Sequence, residues 1–264
     1  MLSRIVAYAT TLPAPRRVRD PVGTFAIAFE SAGLRLRGWV NDVPRARGTV
    51  VLAHGYRDDR TQLALLVEPL ARRGLRTLGF DFRAHGESEG DRVTIGVEES
   101  LDVIAALGFA RRTFGEPVSY MGFSMGAAAY LLSLDRDGGG EAHVAVLDSP
   151  YDTLHEAIAA RFDRFFVPRR FARGLERLAA RRTGVAIERV RPIDALARLS
   201  RPTHLVFARR DAWIGEETRA RFRAAAPPGC TFELVEGGHQ DHLTPRWAET
   251  IADAFGRALS AVGE

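Results

Sequence analysis

Ser124 sits in the pentapeptide GFSMG (122–126), between the apolar run VSYM and the small-residue run AAAYLLSL. A serine hydroxyl at its ordinary pKa is a weak nucleophile at neutral pH. It becomes effective when an imidazole takes its proton and a third group orients that imidazole. Gly122 and Gly126 flank the serine as a strained strand-to-helix turn requires, because missing side chains prevent clashes where the backbone is forced into an unfavourable φ. The pentapeptide alone also fits a plain glycine turn, so its meaning depends on the elements around it.

Those elements alternate. TFAIAFE (24–30) and LRLRGWV (34–40) flank Ser31-Ala32-Gly33 and predict an antiparallel hairpin. GTVVLAHG (48–55), LRTLGFDF (75–82), EPVSYMGF (116–123), AHVAVLD (142–148), RPTHLVFA (201–208) and CTFELVE (230–236) read as strands. Helical spacing falls between and after them, at 61–74, 96–115, 124–134, 216–227 and 246–262. Continuous apolar strands alternating with amphipathic helices predict an α/β fold with a mostly parallel sheet covered on both faces. From 149 to 200 the alternation stops, and two helices with no strand between them predict a small helical cap. The cap carries Phe162, Phe165, Phe166, Val167 and Phe171, which either pack it onto the body or line an acyl pocket. Its Arg164, Arg169, Arg170 and Arg173 read first as a solvated helix face, and second as a surface that steers an anionic substrate or lies near acidic lipid.

Ligands collect beyond the C-terminal ends of parallel strands, so partners for Ser124 are sought there. Asp211 follows the strand LVFA, and His239 follows TFELVE, giving the chain order Ser, Asp, His. Two rivals stand beside them. His242 is the alternative base if the loop register differs, and Asp148 is the alternative orienting acid, its other reading being a brace for the loop or the cap. His54 and His85 fall in tight turns and read as hydrogen-bonded scaffold; His143 and His204 fall within strands. Asp58-Asp59 is read as solvated in preference to a cation site.

Composition narrows the classes. Of 264 residues, 46% are hydrophobic and 27% charged, the mix of a globular chain with a sizeable core. The single cysteine, Cys230, excludes an intrachain disulfide and a four-thiolate metal site and fits a reducing cytoplasm. The net charge of +4 comes from arginine alone, without lysine, and no nucleic-acid module or aromatic-interleaved basic stripe accompanies it. No apolar run is long enough for a transmembrane helix. Residues 1–23 read as an arm or helix lying on a domain of residues 24–264, with membrane-surface contact by that arm as the lesser reading.

Taken together, HGY (54–56), DFRAHGES (81–88), GFSMG (122–126), DSP (148–150), RRDAWI (209–214) and GGH (237–239) resemble the α/β-hydrolase superfamily, over nearly everything from Thr24 to Val262. The branch it resembles most is the bacterial one with a short cap, often labelled esterase, lipase or serine-aminopeptidase-like. Ala84 departs from it, standing where that branch usually has glycine. The resemblance implies a Ser124–His239–Asp211 triad and an oxyanion hole from the backbone N–H groups of Tyr56 and Met125. It implies acyl transfer from a small ester or amide, with no metal or organic cofactor. The expected activity is carboxylic ester hydrolysis through an acyl-enzyme, the apolar cap suiting an apolar acyl group. Amide or peptide hydrolysis by the same groups, and a non-catalytic binding protein on this fold, are the alternatives.

Overall fold

Strands that are apolar on both faces must be covered on both, and that requirement dictates the architecture of the computed structural model, which describes residues 11–164 and 177–260. Among the described residues the first elements are β1 (Ala14–Pro15), the hairpin strands β2 (Phe25–Ser31) and β3 (Leu34–Asn41), and β4 (Gly48–Ala53). Next come α1 (Val67–Arg72), β5 (Leu75–Phe80), β6 (His85–Gly86), α2 (Glu99–Phe114), β7 (Val118–Phe123) and α3 (Met125–Ser133). Then follow β8 (Ala145–Asp148), α4 (Leu154–Arg164), β9 (Thr203–Ala208), α5 (Glu216–Ala225), β10 (Cys230–Val235) and α6 (Pro245–Ser260).

Eight strands form one open sheet in the order β10-β9-β8-β7-β4-β5-β3-β2. Every pairing is parallel except those of β3, which lies antiparallel to β2 and to β5. The hairpin turns at Ala32 and Gly33, both with positive φ (47° and 80°), the backbone that matches strand twist in a two-residue loop. β1 pairs with β6 as a separate two-stranded parallel ribbon, so Ala14 and Pro15 are tied to the DFRAHGES segment.

Alternation along each strand sends side chains to two cores. In β4, Val51 and Ala53 join one core with Val103, Leu107, Ala127 and Leu131 of α2 and α3. Val50 and Leu52 join the other with Leu70 of α1 and Ile251 and Phe255 of α6. Ile251 and Phe255 are fully buried, and truncating such a side chain typically costs about 2–5 kcal/mol.

The structure departs from the sequence reading in places. The helix expected over 61–74 forms only from Val67, after a 3₁₀ turn at Ala64–Leu66. Pro69 explains this: it lacks an N–H and fits only the first turn of a helix. In the insertion, α4 and a helical stretch at 177–183 correspond to the two expected helices. Two 3₁₀ turns, Ile187–Arg189 and Pro192–Arg198, then lead back to the sheet, the second starting on Pro192. Of the cap residues singled out above, Phe165, Phe166, Val167, Phe171, Arg169, Arg170 and Arg173 lie outside the described residues, as do the side chains of Phe162 and Arg164.

Candidate active site

β7 stops at Phe123, α3 starts at Met125, and Ser124 between them has φ 52° and ψ −109°. A non-glycine residue held there costs about 1–3 kcal/mol and persists only when its surroundings impose it. The Ser124 N–H donates to the Asp148 carbonyl at 2.7 Å, and its carbonyl accepts the Ala128 N–H at 3.0 Å. A Cβ on Gly122 would lie 2.7 Å from the Ala127 nitrogen, and one on Gly126 would lie 2.5 Å from the Ala53 carbonyl oxygen. Both glycines are therefore needed so that α3 can start against the ends of β7 and β4. The Tyr120 hydroxyl locks the turn by donating to the Gly126 carbonyl at 2.8 Å.

Two loops beyond the same sheet edge meet Ser124. The β9 and β10 backbones stay paired past their ends, with Arg209 N–H on the Val235 carbonyl and Arg210 N–H on the Gly237 carbonyl, both 2.9 Å. Asp211 follows directly. Its Oδ1 accepts the Trp213 and Ile214 N–H groups (2.7 and 3.0 Å), which aims Oδ2 at His239 Nδ1, 2.7 Å away. His239 Nε2 is 2.9 Å from Ser124 Oγ. A carboxylate only accepts, so Nδ1 carries the proton and Nε2 presents a lone pair to the hydroxyl. The Asp211 side chain is fully buried, and that of His239 is 14% exposed. The Phe123 ring packs 5.0 Å from the imidazole, centroid to centroid.

His242 and Asp148, the two rivals, pair with each other. His242 Nε2 lies 2.9 and 3.1 Å from the two Asp148 oxygens, and Nδ1 donates to the Gly238 carbonyl at 2.9 Å. Their side chains are 1% and 0% exposed, so the pair is inaccessible to substrate. Burial opposes the charge on this imidazole, but the hydrogen bond and charge of Asp148, helped by the Gly238 carbonyl and Asp211, raise its pKa above the ordinary value. Asp148 Oδ1 also accepts the Ser149 hydroxyl at 2.8 Å.

The other histidines have partners of their own. His54 accepts the Phe82 N–H and donates to the Gly55 carbonyl, and burial together with His85 holds its pKa well below the usual value. His85 donates to the Arg83 carbonyl and accepts the Arg57 N–H, and burial pulls it down to about 4. His204 spans Thr231 and Glu233 on β10. The backbone of His143 donates to Val118. Asp58 accepts from Gln62, and Asp59 from Thr61. Among the described residues, no group of three or more His, Cys, Asp or Glu is placed to hold a metal ion. None of their helices is long and apolar enough to cross a membrane.

A cavity of about 520 Å³ opens over Ser124. Tyr56 and Met125 line it beside the serine. Met125 is the first residue of α3, where an N–H has no partner within the helix and the helix dipole favours negative charge. Ile95, Tyr151, Ala157, Ile158, Trp213 and Ile214 give apolar walls, and Arg210, Gln240 and Asp241 are the polar residues at its rim.

A family model described as serine aminopeptidase, S33, a hydrolase family, matches residues 44–238. The chain belongs to this family. The segment of the S33 family that matches takes in Ser124 and Asp211 and stops one residue before His239. No curated protein matches the chain. This S33-family chain is similar to a Pyrococcus furiosus esterase, with 23% identity over 95% of this chain and 98% of that one, at a TM-score of 0.75. It is also similar to the α/β hydrolase GrgF from Penicillium (16% identity, 91% and 99% covered, TM-score 0.70). A third is Est1E from Butyrivibrio proteoclasticus, solved with ferulic acid (17% identity, 89% and 99% covered, TM-score 0.67). The fold is that of the α/β hydrolases.

Proposed function

We propose that this member of the S33 family is a serine hydrolase that cleaves carboxylic esters with an apolar acyl group. The observation that carries the reading is the unbroken line from Asp211 through His239 to Ser124, at 2.7 and 2.9 Å. As Ser124 Oγ bonds to the ester carbonyl carbon, its proton passes to His239 Nε2, and the imidazolium is steadied by Asp211 through Nδ1–H. The carbonyl oxygen becomes an oxyanion facing the N–H groups of Tyr56 and Met125, each such donor contributing about 2.7–4 kcal/mol to the transition state. The C–O bond to the leaving group then breaks, and the leaving alkoxide takes the proton from His239. Water enters and repeats the sequence, freeing the acid and restoring the serine.

The apolar cavity walls favour an apolar acyl group, and the Pyrococcus esterase and the ferulic acid in Est1E support an ester reading by analogy of fold. The carboxylate of Asp241 at the rim supports a second reading, aminopeptidase action on a substrate with a free amine, in line with the family's description. Residues 1–23 as an arm, 150–200 as a cap and a cytoplasmic location complete the proposal, the last resting on a single cysteine, which fits a reducing compartment.

The deciding experiment is a graded panel of p-nitrophenyl esters beside an aminoacyl p-nitroanilide, run with wild type and Ser124→Ala. Ester turnover should exceed anilide turnover and fall at least about 10³-fold in the variant. Residual activity within about tenfold of wild type would remove Ser124 from the mechanism.

A further inference from the structure

Ile95, on the cavity wall, has φ 55°. Left-handed backbone is a genuine outlier for a β-branched residue, whose side chain crowds the following carbonyl. The peptide that follows it and the residue before it are both pinned. The Glu99 carboxylate, on the first residue of α2 and wholly buried, accepts the Thr94 N–H (2.8 Å), the Thr94 hydroxyl (2.5 Å) and the Gly96 N–H (2.8 Å). The Thr94 hydroxyl in turn accepts the Glu98 N–H at 2.7 Å. The Ile95 carbonyl accepts the Tyr151 hydroxyl, and Tyr151 is itself part of the wall. Gly96 comes so close that a Cβ there would stand 3.0 Å from that hydroxyl. Glu99 and Thr94 do not line the cavity; Ile95, Tyr151 and Ser124 do.

A single buried carboxylate with three donors thus imposes an unfavourable conformation on one residue, and that residue borders the space over the nucleophile. Relaxing it would cost nothing chemically, since the segment carries no reacting group. We infer that Ile95 is a specificity-determining residue that limits the size of the acyl group, and that Glu99 is the positioning residue that holds it there. The inference rests on the reading of Ser124 as nucleophile and deepens it by naming what sets the acyl preference.

The test compares kcat/KM for p-nitrophenyl acetate with that for a longer or bulkier acyl ester, in wild type, Ile95→Ala, Ile95→Gly and Glu99→Gln. Shortening Ile95 should shift the ratio toward the larger acyl group by about tenfold or more, the scale of a methylene in an apolar pocket. Glu99→Gln should shift it in the same direction, although residue 99 lies outside the cavity, which a role in stability alone would not do. Should Glu99→Gln fail to fold, Thr94→Val removes one of the three donors and replaces it in the test. Thermal midpoints of the Ile95 pair read the backbone: glycine should melt above alanine, the reverse of the usual order. A ratio within twofold of wild type in both Ile95 variants overturns the specificity role. An unchanged ratio in the folded carboxylate variant overturns the positioning role. If wild type neither hydrolyses esters nor labels at Ser124 with a fluorophosphonate, the functional reading fails instead.

Discussion

Replacing Asp148 by asparagine should cost the fold about 3–5 kcal/mol, the usual penalty for removing one partner from a buried ion pair. The change preserves volume and leaves both the backbone carbonyl that holds Ser124 and an amide oxygen for Ser149. What it removes is the counter-charge of His242, whose ring is 1% exposed and whose other nitrogen donates to the Gly238 carbonyl. For a chain of this size about 2 °C of melting temperature corresponds to each kcal/mol, so the midpoint should drop by roughly 6–10 °C. The sign with pH follows from the raised pKa of His242. Its stabilising contribution is fully present below the unfolded value of about 6.5 and is lost as pH rises through the higher folded value. The titratable groups that raise it are Asp148 and, from the β9 loop, Asp211. Urea melts of wild type and variant at several pH values provide the assay. Their difference should be greatest at about pH 6 and should shrink on the alkaline side. A difference below about 1 kcal/mol near pH 6, or one that grows with pH, would refute the reasoning, because the pair would then not be charged.

Asp211→Asn should fold like wild type yet lose about 10⁴-fold in kcat, since an amide in that place stabilises the wrong imidazole tautomer; steady-state kinetics beside circular dichroism would check both parts. Ala32→Asn, at an exposed turn position with φ 47°, should raise stability by about 0.5–1 kcal/mol in a denaturant melt with no effect on turnover, because asparagine accepts left-handed backbone more readily than alanine.

Legibility in the sequence followed the range of the forces involved. GFSMG was readable because both glycines answer to contacts made within the same turn and with one neighbouring strand. Asp211 and His239 were readable because the ends of parallel strands converge by topology. The preference for His239 over His242, and for Asp211 over Asp148, rests on strand ends and on the family resemblance, and spacing alone does not exclude the rivals. The choice depends on which side chains meet across a sequence separation of 94 for one pair and 28 for the other. Glu99 left no signal, since an acid in the first turn of a helix ordinarily faces solvent. Only the fold of residues 94–96 against it makes it a buried anchor. The late start of α1 is legible in Pro69, which belongs in the first turn of a helix and overrides the apolar spacing before it. Ala84 has φ 58°, which gives the physical reason why glycine is expected there.

Arg210 shows how chemistry and selectivity are kept apart at this rim. Its amide continues the β9–β10 ladder that sets Asp211 opposite His239, a duty any residue but proline can perform. Arg210 also lines the cavity over Ser124 and is exposed. Electrostatic preference at the mouth is therefore adjustable by a single codon, with the proposed proton relay a residue away left undisturbed.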